Sequence, residues 1–264
     1  MPKRRLDSLL AERGLFSSRT RAAASVMAGE VRVGTDGRRA AKPGELVDAE
    51  EQLSVEQPSR YVSRGGTKLA NALDSSGIEA SGRRAIDVGA ATGGFTDCLL
   101  QRGASEVIAV DVGYGALAWR LRGDPRVHVM ERTNARTLSP AALPYRPELG
   151  AVDVSFISLA KVLQAVLACM AARFDLLALV KPQFEVGRAR VGKGGVVRSA
   201  SDRRAALVQV GEAARALGAA VLGYHSSRLP GPKGNRETFV WLAERARAGP
   251  DQPSLAHMAR EVEP

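Results

Sequence analysis

The chain has 264 residues, enough for about one and a half to two domains and for a core that needs no disulfide staples. A hydrophobic share of 45% beside 25% charged residues excludes wholesale disorder, collagen and coiled coil. Lys and Arg number 38 against 28 Asp and Glu, and the resulting charge of +10 favours polyanionic partners through counterion release without specifying any chemistry.

The start, Met1-Pro2-Lys3-Arg4-Arg5, runs straight into an amphipathic pattern rather than an apolar export segment. Leu6, Leu9 and Leu10 recur at helical spacing, and Gly14 supplies a left-handed stop. Ser17 or Ser18 is placed to cap a second helix, which turns Ala22 and Val26 inward and ends at Gly29. Val31 and Val33 alternate as a strand before the turn signal Asp36-Gly37; Lys42-Pro43-Gly44 makes another turn and Leu53-Ser54-Val55 a closing strand. Charge is segregated along this stretch: residues 1–42 carry ten basic and four acidic positions, whereas residues 43–59 carry five acids and no base.

Arg5-Leu6-Asp7, Ser18-Arg19, Gly29-Glu30-Val31-Arg32-Val33 and Lys42-Pro43-Gly44 together resemble the S4 RNA-binding module over nearly all of residues 3–56. The resemblance implies that the second helix and the adjoining strand present arginines to RNA backbone, with Arg4, Arg5, Arg19, Arg21 and Arg32 as the phosphate contacts. Such a module reads the shape of helical RNA rather than base identity.

Residues 57–64 read as a linker into a helix from about Gly65 to Asp74. Beyond Gly82, short apolar strands alternate with longer helical stretches. The strands fall near Ala85 to Val88, Val107 to Asp111, Val127 to Met130, Ala151 to Val154, Leu176 to Lys181, Ala220 to Tyr224 and Phe239 to Leu242. That order predicts a mainly parallel, Rossmann-like α/β sheet with its ligand at the carboxyl ends of the strands. Cys98 and Cys169 are flanked by apolar residues and read as reduced core thiols; no C-x-x-C or histidine cluster offers a metal site. The longest apolar stretch, Val162 to Ala172, is closed by Lys161 and Arg173, well short of the 20 or so residues that span a bilayer. A soluble, cytoplasmic protein is expected.

The first strand end reads Ile86-Asp87-Val88-Gly89-Ala90-Ala91-Thr92-Gly93-Gly94-Phe95-Thr96-Asp97. Alanine at 91 breaks the dinucleotide fingerprint, and no Lys-Ser/Thr pair follows the glycines as a Walker A loop requires. Close backbone approach at Gly89, Gly93 and Gly94, at a helix start, suits a carboxylate, and Asp87 offers negative charge to an ammonium. The second strand ends in Asp111-Val112-Gly113, where an acid holds the two hydroxyls of a ribose. Amino acid at one strand and ribose at the next describe S-adenosylmethionine. The candidate cofactor residues are Asp87, Gly89, Ala90, Gly93, Gly94, Phe95, Asp111, Val112, Asn134, placed to meet the adenine edge, and Asp153.

The fourth strand ends Asp153-Val154-Ser155-Phe156, without the prolines of base-amino methyltransferases, and neither cysteine lies on a strand-end loop as carbon methylation of a pyrimidine requires. The remaining polar strand-end residues are Lys181 and Glu237, with Lys68 in the preceding helix. The order Lys68, Asp153, Lys181, Glu237 is similar to the catalytic tetrad of FtsJ-like ribose 2′-O-methyltransferases. Ser63-Arg64-Gly65, Gly93-Gly94-Phe95-Thr96, Asp111-Val112-Gly113-Tyr114-Gly115, Glu131-Arg132-Thr133-Asn134-Ala135-Arg136, Asp153-Val154-Ser155-Phe156-Ile157-Ser158-Leu159 and Lys181-Pro182-Gln183-Phe184-Glu185-Val186-Gly187 closely resemble the TlyA family from about residue 4 to residue 243.

The resemblance implies an S-adenosylmethionine-dependent enzyme that methylates a cytidine 2′-hydroxyl in 16S or 23S ribosomal RNA, or both. Lys181 is then the base, Asp153 its orienting partner, and Lys68 with Glu237 position the ribose; an exchange of roles between the two lysines stays open. Arg64, and Arg188, Arg190 and Lys193 in the glycine-rich basic segment after Lys181, are further candidate RNA contacts. The expected organisation is an S4-like domain at 1–58, a linker at 59–64, a methyltransferase domain at 65–246 and an uninformative tail at 247–264, in a monomer. Two other classes fit parts of the sequence. One is a non-catalytic RNA-binding or ribosome-assembly factor; the other is a membrane-active haemolysin, a label that the TlyA family has also carried.

Overall fold

Seven apolar runs of strand length, four of them bounded by Gly, Asp or Lys at the carboxyl end, build one sheet in the computed structural model, which describes residues 3–55, 60–250 and 252–263. The chain divides into two compact units between Arg60 and Tyr61.

In the first unit, strand β1 (Lys3–Arg5) leads into α1 (Leu6–Glu12) and α2 (Arg19–Ala28), followed by β2 (Val31–Val33), β3 (Arg38–Arg39), β4 (Leu46–Asp48) and β5 (Leu53–Val55). Of the two serines that the sequence offers as a cap for α2, Ser18 does it: its side chain accepts from Arg21 N at 3.2 Å. Gly29, at φ +77°, closes the same helix in the left-handed region. β2 is the centre of a three-stranded antiparallel sheet between β3 and β5, and β1 pairs with β4. Leu6, Leu10, Ala22, Val26, Val31 and Val33 form the core of this unit.

The second unit begins its regular structure with α3 (Arg64–Ser76) and continues β6 (Arg84–Val88), α4 (Gly94–Gln101), β7 (Glu106–Val110), α5 (Trp119–Arg122), β8 (Val127–Met130), β9 (Leu149–Val152) and α6 (Ala160–Cys169). It then runs β10 (Asp175–Val180), α7 (Pro182–Glu185), α8 (Ala200–Ala216), β11 (Ala219–Ser226), β12 (Thr238–Glu244) and α9 (Leu255–Val262). The strand order is β11-β12-β10-β9-β6-β7-β8, parallel except for β12, which runs against both of its neighbours. The chain travels outward from β6 through β7 to β8 and then returns to β9 on the other side of β6. That reversal opens a crevice at the carboxyl ends of β6 and β9, where open α/β sheets take their ligands.

One core lies on each face of the sheet. Val88, Val110, Val152, Leu176 and Val180 join α6, α8 and α9 on one side; Ala85, Val107, Ala151, Leu177 and Leu179 join α3 and α4 on the other. Cys98 and Cys169 are buried free thiols within these layers. The first residues of the expected linker, 57–59, lie outside the described residues. Among the described residues no helix is long and apolar enough to cross a membrane.

The strands stop earlier than the apolar runs suggest. Asp111, Asp153 and Lys181 each stand one residue past the end of β7, β9 and β10. Charged side chains therefore begin where the ladder ends, and three separate strands deliver them to one rim.

Candidate active site

Two cavities adjoin along this rim. The first, about 460 Å³, lies beyond β6, β7 and β9 and is lined by Gly89, Asp111, Val112, Asn134 and Asp153 among others. The second, about 350 Å³, is lined by Lys181, Gln183, Lys233, Asn235 and Glu237. Ser155 and Phe156 belong to both. Both volumes fall within the range of small-ligand pockets.

Gly89 shapes the first cavity. Its φ is +90°, and a Cβ there would stand 2.3 Å from Asp153 O, so only glycine lets β6 and the Asp153 turn approach each other. Asp111 closes the opposite wall: Oδ2 accepts from Ala91 N at 2.8 Å and Oδ1 from Gly113 N at 2.6 Å. Each oxygen keeps a lone pair for a ligand hydroxyl. Asn134 uses its Oδ1 to accept from Arg136 N at 3.0 Å, which leaves its amide nitrogen as a donor on the cavity wall.

Other residues expected at the cofactor are placed elsewhere. Asp87 is fully buried and does not line the cavity; its Oδ2 accepts from Thr96 N at 2.8 Å and Thr96 Oγ1 at 2.7 Å, so the carboxylate serves the first turn of α4. Burial pushes that carboxyl up to about 7. Gly93 and Gly94 lie against neighbouring segments of the chain and do not line the cavity. A Cβ at Gly93 would stand 2.4 Å from Leu121 Cδ1, and one at Gly94 2.1 Å from Ser63 Oγ. Phe95 packs in the core with its ring centroid 5.8 Å from that of Phe239, and Ala90 is buried. The glycine loop thus touches the cavity through Gly89 and Ala91, and the helix behind it is a packing element.

The four polar residues singled out by their order form two ion pairs, each with one member, Glu237 or Lys181, on the wall of the second cavity. Lys68 of α3 pairs with Glu237, the residue before β12, and both are buried. Lys181 Nζ lies 2.5 Å from Asp153 Oδ1 and donates a hydrogen bond to Ser155 Oγ at 2.7 Å. The Asp153 contact is electrostatic and lies off the hydrogen-bonding direction, since Oδ1 has no hydrogen-bond partner. Glu237 Oε1 is likewise buried without a hydrogen bond. The glycines of α3 and α4 make this convergence possible: a Cβ on Gly94 would come within 2.9 Å of Gly66 N, so the two helices meet backbone to backbone two residues before Lys68.

Sequence reasoning missed Ser155, Phe156 and Gln183. Phe156 stands 92% exposed at φ +63°, with its ring centroid 5.4 Å from that of Phe184. A bulky residue in the left-handed region is a local strain that points to function, and the signal was available in a phenylalanine directly after a strand-end polar turn.

The basic residues expected at RNA are largely exposed. In the first unit Arg4 pairs with Glu12 at 2.6 Å, while Arg5 and Arg19 both reach Asp7, at 2.9 and 3.1 Å. The Arg5 hydrogen bond holds the Asp7 carboxyl down at about 2. Arg21 is exposed on α2 and Arg32 is half-buried on β2. In the second unit Arg64 donates to Pro230 O at 3.1 Å; Arg188, Arg190 and Lys193 are exposed, with Arg190 3.6 Å from Asp202.

The FtsJ-like methyltransferase family model matches residues 61–244, and the S4 domain model matches residues 4–53. Fold and sequence thus define a Rossmann-like methyltransferase of the FtsJ-like class preceded by an S4 domain. The chain is 48% identical over 260 residues, 97% of its length and 96% of the relative's, to the 16S/23S rRNA (cytidine-2'-O)-methyltransferase TlyA of Mycobacterium tuberculosis. It is 37% identical over 197 residues, 74% of its length and 80% of the relative's, to Hemolysin A of Brachyspira hyodysenteriae. A solved structure from Streptococcus thermophilus that carries a hemolysin name shares 40% identity at a TM-score of 0.75, covering 99% of this chain and 96% of that one. The chain belongs to the TlyA family of FtsJ-like methyltransferases.

Proposed function

We propose that this protein transfers a methyl group from S-adenosylmethionine to the ribose 2′-hydroxyl of a cytidine in ribosomal RNA. The observation that carries the reading is the junction of two cavities at Ser155 and Phe156, with the Lys181–Asp153 pair beside it. The family supplies the substrate class, since the M. tuberculosis relative is a 16S/23S rRNA (cytidine-2'-O)-methyltransferase.

The first cavity fits the donor: Gly89 keeps β6 and the Asp153 turn together as one wall, Asp111 offers carboxylate oxygens to a ribose diol, and Asn134 offers an amide donor to the adenine edge. Bound there, S-adenosylmethionine supplies an electrophilic methyl group on a sulfonium centre. The second cavity holds the acceptor ribose. Its hydroxyl must lose a proton as it attacks in line, and an uncharged Lys181 Nζ is the group placed to receive it. Asp153 then stabilises the ammonium that forms. Lys68 and Glu237 hold each other, and the pair fixes the Glu237 wall of the cavity against which the sugar is positioned.

RNA is held by cations that are exposed apart from the half-buried Arg32. Arg4, Arg5, Arg19, Arg21 and Arg32 serve residues 1–58 as an S4-type phosphate surface, and Arg64, Arg188, Arg190 and Lys193 serve residues 65–246. Gly192, Gly194 and Gly195 give the second group the backbone freedom to follow a phosphate track.

The test is transfer of labelled methyl from S-adenosylmethionine to purified ribosomal subunits, followed by mapping of alkali-resistant linkages. Label on a cytidine ribose, abolished by Lys181→Ala while RNA binding persists, is the expected result. Label on a base, or function that survives Lys181→Ala, overturns the reading.

A further inference from the structure

The two pairs Lys68–Glu237 and Lys181–Asp153 account for charge at the site but not for the direction of the proton-accepting nitrogen. Lys181 Nζ is a tetrahedral centre at the end of a single bond, free to rotate, with one direction taken by Cε. Asp153 Oδ1 is close, at 2.5 Å, yet lies off the hydrogen-bonding direction. The directed hydrogen bond goes to Ser155 Oγ, at 2.7 Å. Ser155 itself is exposed, lies two residues from Asp153 and lines both cavities, whereas Lys181 lines only the second.

Resting on the reading above, we propose that Ser155 is a positioning residue for Lys181, which sets the orientation of the amine at the moment of proton transfer. By accepting one N–H, the serine oxygen stops rotation about the Cε–Nζ bond. In the uncharged amine this removes the arrangement in which the lone pair faces Ser155; of the two directions left, the negative Asp153 carboxylate disfavours the one on its side, and the lone pair turns toward the acceptor cavity. The hydroxyl proton of the substrate passes to that lone pair, and the resulting ammonium remains between Ser155 and Asp153. A misdirected base costs rate rather than affinity, because the interaction is felt only as the proton moves. Hydrogen bonds to such groups, when removed, change rates about 10- to 100-fold.

The experiment compares wild type, Ser155→Ala and Ser155→Thr in methyl transfer to ribosomal subunits, with kcat and KM measured for both substrates. Calorimetric binding of S-adenosylhomocysteine checks that each variant is folded. The expected result is a kcat for S155A about 10- to 100-fold below wild type, with both KM values within about 2-fold. S155T, which restores the acceptor oxygen, should return to within about 3-fold of wild type. An S155A enzyme with undiminished kcat, a loss expressed in KM alone, or a threonine variant no better than the alanine one overturns the proposal while leaving ribose methylation intact. A wild-type product methylated on a base instead defeats the underlying reading, and the proposal with it, before any variant is compared.

Discussion

Lys68 and Glu237 stand 169 positions apart in the chain and form one buried ion pair, their side chains 9% and 1% exposed. The pair fastens α3 to the start of β12, and with it the wall of the second cavity. Burying both charges is costly, and their mutual attraction offsets that cost only while both are present. Lys68→Met should therefore lower stability by about 3–5 kcal/mol, since it strands a buried carboxylate. Lys68→Met combined with Glu237→Leu should recover most of that loss in urea unfolding and still transfer no methyl group. A double variant as unstable as the single one would show that the pair contributes by packing, not by charge.

Asp87 makes the fold respond to pH. Its carboxyl is raised to about 7 by burial, with Asp153 and Asp111 adding to the effect against the Thr96 hydrogen bonds. The folded chain thus binds this proton more tightly than the unfolded chain, whose carboxyl titrates near 4. The stabilising contribution is complete below about pH 4, shrinks as the pH rises and is gone above about pH 7, with an upper limit of about 4 kcal/mol. Asp87→Asn cannot ionise. The difference in unfolding free energy between wild type and Asp87→Asn should move in the variant's favour between pH 4 and pH 7 and level off above that; a constant difference across the range would contradict the assignment.

Much of this was legible in the sequence because period and position carry it. All seven strands of the sheet were visible as apolar runs, and Lys68, Asp153, Lys181 and Glu237 were picked out by an order similar to that of FtsJ-like enzymes; the structure joins them in two ion pairs. What could not be read was which residues of a motif face the cavity. Asp87 and Asp111 both follow or end an apolar strand, yet one carboxylate turns into the core toward Thr96 and the other out to the cavity. Gly89 and Gly93 are both left-handed, but one approaches Asp153 and the other leucines of the β7–β8 connection. Those distinctions depend on which element packs behind the loop, and no local pattern encodes it. The tail was a different case: Ser254 followed by Leu255, Met258, Ala259 and Val262 is a cap and a helical stripe, and it folds as α9.

Gly89 offers a direct check of the first cavity's wall. Alanine there meets both an unfavourable φ of +90° and a carbonyl oxygen 2.3 Å from its Cβ, so the Asp153 turn must retreat. Gly89→Ala should cost about 1–3 kcal/mol of stability. It should also weaken S-adenosylhomocysteine by more than about tenfold in calorimetry, because the displaced turn forms the cavity wall. Gly115, also left-handed but with open space for 4 Å around the place a Cβ would take, is the control: Gly115→Ala should carry the strain cost alone and leave affinity within about twofold.

The last helix reaches the acceptor side of the sheet through one carboxylate. Glu263, just past α9, accepts from Arg203 Nε at 2.9 Å and lies 3.7 Å from Arg236. Arg203 is buried and also donates to Arg198 O at 2.7 Å, at the end of the basic segment that contributes Gly195 to the second cavity. The segment is tied in again by Asn235, whose side chain accepts from Val197 N at 3.0 Å and donates to Gly195 O at 2.8 Å. Removing Glu263 leaves a buried guanidinium with carbonyl partners but no counter-charge, a loss on the order of 3 kcal/mol. Glu263→Ala should therefore lower the unfolding free energy by about that amount and raise KM for ribosomal subunits, while calorimetry shows unchanged affinity for S-adenosylhomocysteine. Equal weakening of both ligands would mean that the helix supports the whole sheet edge and not the acceptor side in particular.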